Sequence, residues 1–332
     1  MVLTYVLLAV SFAMLLAGAF FFTNAVEWAG LRLNLGHGAV GSILAAVATA
    51  LPESVIPVVA VVTGGKSGDI AIGAILGAPF LLGTLAMLLV GASAIVFRGR
   101  REQDVQLRLD RETTMRDLTV FLVFFGITLI LGVLGIRALN IAGAIVFVVA
   151  YGVYVWRTIQ SGQGSESGEE LSDLFFDPSK QDPPHNFQIV LQVLFGLALI
   201  IFGAHLFVTE IEHIATSLGI SALLLALVLA PLASELPEKA NSFIWVRSGK
   251  DSLALGNISG AMVFQSMLPV AFGMLFTDWE FGRAAIVVSI AALLGGALAI
   301  VAIRRMDRYA PPFMVAWGVL YVGTVAYVIV GA

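Results

Sequence analysis

Glu53 and Glu238 stand where a charge is expensive. Each follows a proline inside a long apolar stretch, in the strings ATALPESV (48–55) and ASELPEKA (233–240). Both lie too deep in their stretch for a short carboxylate stem to reach its ends. If the stretch spans a bilayer, a charge there costs at least about 2.5–3.5 kcal/mol. Such a group persists when it is paired, protonated or bound to a cation. Proline removes a backbone donor and crowds the carbonyl four residues earlier. Carbonyl oxygens near Ala48, Thr49, Ala233 and Ser234 are therefore expected to turn into a cavity, where non-helical backbone is tolerated at membrane depth. A carboxylate with freed carbonyl oxygens, present twice, makes a site of hard oxygens. That suits Ca2+, Mg2+ or Mn2+, whereas Zn2+ would recruit His or Cys. Glu235 and Lys239 are four apart and share a helix face. Neither has a counterpart in the first string, where Ala50 and Ser54 stand. Glu53, Glu235 and Glu238 with Lys239 leave a net charge of −2, a match for one divalent cation; the plainer reading of Glu235 and Lys239 is an ion pair on a rim.

The elements that must position these groups belong to a chain whose solvent is mostly lipid. Of 332 residues, 59% are apolar and 12% charged, against roughly 25% charged in ordinary soluble proteins. Mean hydropathy is +0.97. A soluble enzyme, a nucleic-acid binder and a disordered chain are excluded. A spanning helix needs about 20 apolar residues, and apolar runs predict ten, over 2–28, 37–63, 69–97, 117–135, 138–158, 187–211, 218–247, 251–276, 283–303 and 311–331. The first lacks the basic flank of a cleaved signal peptide and is expected to stay. Of the 18 Lys and Arg, 14 fall in one set of alternating loops and three in the other. That asymmetry predicts both termini outside and the 159–186 linker in the cytoplasm. The linker carries six acids against Lys180, without the Asp spacing of an EF-hand loop, and reads as a flexible connector. The tryptophans fall near span ends, as an aromatic belt would. Cysteine is absent, so no disulfide framework exists.

The two halves match. AGAFFFTNAVEWAG (17–30) lies on FGAHLFVTEIEHIA (202–215), pairing Gly18 with Gly203 and Glu27 with Glu212. The same shift of 185 residues pairs Pro52 with Pro237 and Glu53 with Glu238. KSGDIAIGAILGAPFLL (66–82) lies on KDSLALGNISGAMVFQ (250–265) at a shift of 183 or 184. The expected architecture is all-α and polytopic. It has ten transmembrane helices in two five-helix repeats, 1–158 and 187–332, joined by the 159–186 linker. Five is odd, so the second repeat enters the membrane inverted, an arrangement used by transporters with a substrate site near the midplane.

The paired LPE strings, each followed by a Gly-rich helix (GDIAIGAILGAP and DSLALGNISGAM), resemble the alpha repeats of the cation/Ca2+ antiporter superfamily, which includes the sodium/calcium exchangers. The resemblance covers nearly the whole chain. It implies Ca2+ held between Glu53 and Glu238 with help from the backbone carbonyls of Thr49 and Ser234. It also implies that the first and sixth spans move across a core of spans two, three, seven and eight. Departures from the family pattern concern Na+. The family usually reads G-T-S-L-P-E, and its Na+-serving serines are replaced here by Ala50 and Glu235. In the following helices Ala78, Pro79, Leu82, Ala261 and Met262 replace polar residues, and only Gln265 stays polar.

The expected activity is therefore secondary transport of a divalent cation, Ca2+ as substrate, in exchange for protons. Two crowded carboxylates raise each other's pKa, so protons would neutralise an empty site. Glu235, Lys239, Gln265 and His205 are candidates to support the site or couple protons to it. Alternatives are a Na+/Ca2+ exchanger with atypical Na+ ligands and a divalent-cation channel or sensor. An enzyme is not expected: paired aspartates, Ser with His, or a His cluster are missing from the spans. No cofactor and no nucleic acid is expected. The partners are inorganic cations and the lipid of a prokaryotic plasma membrane.

Overall fold

A helix that is apolar all round belongs in lipid or in a core, and a chain crossing lipid must satisfy each backbone amide within its own segment. The computed structural model describes residues 2–32, 53–64, 67–100, 107, 109–160, 172–177, 183–305 and 311–330, with side chains left out at 31, 67, 159, 236–241, 305, 311 and 312. Regular structure among the described residues is entirely helical. The helices are α1 (Val2–Arg32), α2 (Glu53–Thr63), α3 (Ser67–Leu81), a π-helical turn (Leu82–Ala86), α4 (Met87–Val96), α5 (Arg111–Leu134), α6 (Arg137–Gln160), α7 (Asn186–Leu218), α8 (Ala222–Arg247), α9 (Asp251–Gln265), α10 (Leu268–Phe276), α11 (Arg283–Arg305) and α12 (Pro311–Val330). Among the described residues, eight segments are long and apolar enough to cross a membrane. Ile145 and Val149 on α6, Leu194 and Phe202 on α7, and Val319 and Val322 on α12 are exposed, as lipid-facing side chains should be.

Helix packing rests on close backbone approach. α1 and α7 run antiparallel: Leu15 meets Gly203, Gly18 meets Ile200, and Phe22 meets Gly196. A methyl group on Gly196 would come within 2.7 Å of the Phe22 backbone nitrogen. α3 lies along α8, with Gly77 against Leu227 and Pro231. Pro231 has no N–H to give the Leu227 carbonyl, and a side chain at Gly77 would overlap that oxygen. Several further contacts come in pairs. α5 packs on α9 and α11 on α3; α6 packs on α10 and α12 on α4; α5 and α11 pack on each other. Interruptions are paired too. α3 gives way to the π-turn at Leu82, and α9 stops at Gln265 before α10, which carries Pro269 in its first turn.

Several expectations need correction. α8 stays helical from Ala222 to Arg247 with Pro231 and Pro237 inside it, so the backbone near Ala233 and Ser234 is helical; proline is tolerated in membrane helices when neighbours satisfy the freed groups. The span predicted at 117–135 begins earlier, because Asp110 caps α5: its carboxylate accepts from the Thr113 N–H at 3.2 Å and the Thr113 hydroxyl at 2.6 Å. The tryptophan belt is incomplete. Trp279 and Trp317 are fully buried, and the Trp317 indole donates to the Gly295 carbonyl at 3.1 Å. Finally, linker residues 172–177 are not a free connector. Leu174 is buried between Trp28 of α1 and Ile189 of α7.

The cap yields a measurable expectation. Asp110→Ala should lower stability by about 0.5–2 kcal/mol, read by thermal unfolding in detergent. The Thr113 hydroxyl holds the Asp110 carboxyl below its ordinary value of 3.8. A lowered folded-state pKa stabilises above the ordinary value, and the contribution fades as pH falls through the lowered one. The gap between wild type and variant should therefore close in strong acid and be full at neutral pH.

Candidate cation site

Three helices bring polar side chains to one buried point. Glu53 opens α2 and is 7% exposed; Glu235 lies midway along α8 and is fully buried; Gln265 ends α9 and is 1% exposed. The Gln265 amide nitrogen donates to Glu53 Oε2 and, at 2.6 Å, to Glu235 Oε1. Its carbonyl oxygen has no hydrogen-bond partner among the described residues. The amide faces this way because only its NH2 can serve two carboxylates. Two acids thus share one neutral donor, and the free amide oxygen completes a set of hard donors of the kind Ca2+ takes. A second negative charge in so dry a place is costly.

Gln265 gains its position from the end of α9, and the shift that aligns the two halves of the sequence sets it against Leu82, where α3 passes into the π-turn. Glu235 is drawn in by the contact with Gln265 and is fully buried. Glu238 and Lys239 follow on α8, but their side chains lie outside the described residues, and Thr49 lies outside them altogether. Ser234 is buried, and its hydroxyl donates to the Ala230 carbonyl at 3.1 Å. His205 is exposed on α7, and no hydrogen bond joins its ring to Glu53, Glu235 or Gln265 among the described residues. Among the described residues no group of three or more His, Cys, Asp or Glu is placed to hold a metal ion.

Sequence reasoning missed several buried acids, Glu210 and Asp117 among them. Glu210 is 3% exposed and contacts His213 Nδ1 at 3.3 Å. Asp117 on α5 is 2% exposed and ties three helices together. Its Oδ1 accepts from Arg116 at 3.0 Å and from the Tyr154 hydroxyl of α6 at 2.8 Å; its Oδ2 accepts from the Ser259 hydroxyl of α9 at 3.0 Å. Hydrogen bonds to a charged group contribute about 1.5–3 kcal/mol each, less for the partly exposed Arg116. Asp117→Ala should therefore cost about 3 kcal/mol or more, and Asp117→Asn, which keeps an acceptor, clearly less. Midpoints of thermal unfolding for the two variants check this; equal losses would reject it. The available signal was Asp117 itself, placed by the span prediction at a boundary when it lies within the helix.

The fold and this cluster define a polytopic helical membrane protein with acids buried among its helices. The sodium/calcium exchanger protein family matches residues 3–160 and 188–330, breaking at the linker, and the chain belongs to that family. Relatives include a candidate antiporter, CaxA, of Alkalimonas amylolytica, 24% identical over 284 residues that cover 83% of this chain and 84% of the relative. The inner membrane protein YrbG of Escherichia coli K12 is 27% identical over 248 residues, covering 73% and 70%. Among solved structures, the H+/Ca2+ exchanger CAX superposes with a TM-score of 0.72 at 18% identity, over 98% of this chain and 86% of its own. The sodium-calcium exchanger NCX_Mj superposes with a TM-score of 0.61 at 20% identity, over 98% of each chain. These structural likenesses establish the shared fold.

Proposed function

We propose that the chain is a secondary antiporter that exchanges a divalent cation, Ca2+ above others, for protons by alternating access. The observation that carries this reading is the convergence of Glu53 and Glu235 on the Gln265 amide. Two acids in one dry place can hold a proton or a cation between them, and one displaces the other. Glu238, with the carbonyls near Thr49 and Ser234, would complete the oxygen set. Positions where the family is expected to hold Na+ are buried and apolar: Ala78, Leu82 and Met262. That favours protons over Na+ as counter-ion.

The architecture proposed with it is ten spans in two inverted five-helix repeats, 1–158 and 187–332. The paired packing contacts and paired helix interruptions support the repeats. The antiparallel α1–α7 pair, whose largest contact is with each other, is the natural moving body against the α3–α8 core. Loop charge favours both termini outside and the linker in the cytoplasm of a prokaryotic cell. Calorimetric Ca2+ titration in buffers of differing ionisation enthalpy tests the exchange. Proton release on Ca2+ binding is expected, diminished in Glu235→Gln. Binding without proton release, displaced instead by Na+, would turn the reading to a Na+/Ca2+ exchanger.

A further inference from the structure

Asn24 and Gln192 are primary amides facing each other from α1 and α7, 6% and 0% exposed. Each spends one end on the opposite helix and the other on the linker. The Gln192 nitrogen donates to the Phe21 carbonyl at 2.9 Å and to Asn24 Oδ1 at 2.8 Å; its oxygen accepts from the Phe176 N–H at 2.9 Å. The Asn24 nitrogen donates to the Ser172 carbonyl at 3.2 Å and its hydroxyl at 3.1 Å. The Trp28 indole reaches the same Ser172 carbonyl at 3.0 Å, and Gln188 holds Asp177 at 3.2 Å. On the apolar side, the Phe21 ring meets Phe175, Phe176 and Phe195 edge-on, with centroids 5.3, 5.7 and 5.2 Å apart. Buried amides in a membrane helix demand partners, and here those partners are linker backbone.

From this closed network we propose that residues 172–177 form a strap that fastens α1 to α7 at their linker ends, so that the pair moves as one body. Its bearing on transport rests on the proposed function, in which that pair moves against the core. Without the strap, Gln192 Oε1 and Asn24 Nδ2 lose their linker partners, and the helices keep only their mutual contacts.

The chain has no cysteine, so introduced cysteines label cleanly. Phe20 and Val190 are exposed, on α1 and α7, and Phe20→Cys with Val190→Cys takes a pair of spin labels. Two releases are compared: Gln192→Leu, and the linker variant Leu174→Ser/Phe175→Ser/Phe176→Ser, which leaves every helix intact. In the unreleased protein the amides of 172–177 should exchange hydrogen at least about tenfold more slowly than in the same sequence as a free peptide, with one narrow label distance. In the released forms that protection should be lost, the distance should broaden, and Ca2+ exchange in proteoliposomes should fall about fivefold or more. Exchange as fast as in the free peptide before release would overturn the strap. Distances or Ca2+ exchange unaffected by a verified release would overturn its coupling role. A chain that moves no cation would sink the proposed function instead, while hydrogen exchange and distances still decide on the strap.

Discussion

Glu53→Gln should reduce Ca2+ exchange by about 100-fold or more while leaving the protein folded. The substitution keeps the shape of the side chain and a carbonyl oxygen. What it removes is one of the two charges that meet the Gln265 amide. A cation leaving water for this buried point must be compensated by ionised oxygens nearby, because the surroundings offer little screening. One lost charge out of two facing carboxylates is therefore felt in full. A loss of about 100-fold corresponds to roughly 2.7 kcal/mol, within what removal of one partner from a buried charged contact produces. Stability should move the other way or not at all, since a neutral amide is easier to bury than a carboxylate. Ca2+ uptake into vesicles and the unfolding midpoint, measured side by side, separate the two. Lost uptake together with a collapsed midpoint would mean that Glu53 is structural.

Gln265→Leu should behave differently. Leucine is close in size but offers neither donor nor acceptor, so Glu53 and Glu235 lose the hydrogen bond that each makes to this amide. Losing a hydrogen bond at a buried acceptor costs about 1–3 kcal/mol, and two such bonds are lost here. The cation-free protein should unfold several degrees earlier, and the stabilisation conferred by added Ca2+ should shrink, because an amide oxygen is lost from the donor set. Thermal unfolding with and without Ca2+ reads both effects. An unchanged response to Ca2+ would place Gln265 outside the cation site.

The spans were legible because each is apolar over its whole length, and their ends because residues such as Gly135 and Gly219 take left-handed conformations that favour glycine. Faces were not legible. A helix apolar all round gives periodicity nothing to read, which is why exposed His205 and buried Glu210, five residues apart on α7, looked alike. The acids of the LPE strings and the lone polar Gln265 stood out by type. The contact between Glu235 and Gln265 did not, because it joins two helices at positions 30 apart in the sequence, which helical spacing does not relate. In the linker, acidic composition outweighed a signal that was present: three consecutive apolar residues, Leu174, Phe175 and Phe176, which a wholly solvated connector has no reason to carry.

In the proposed exchange, acids gathered around Gln265 trade a divalent cation for protons. Purified chain in proteoliposomes loaded with radiolabelled Ca2+, given a proton gradient or a Na+ gradient in separate trials, tests it most directly. Flux driven by the proton gradient, insensitive to Na+ and absent in Glu53→Gln, is the predicted result. Flux that follows Na+ alone, or that runs at equal rate with neither gradient and survives Glu53→Gln, would contradict it.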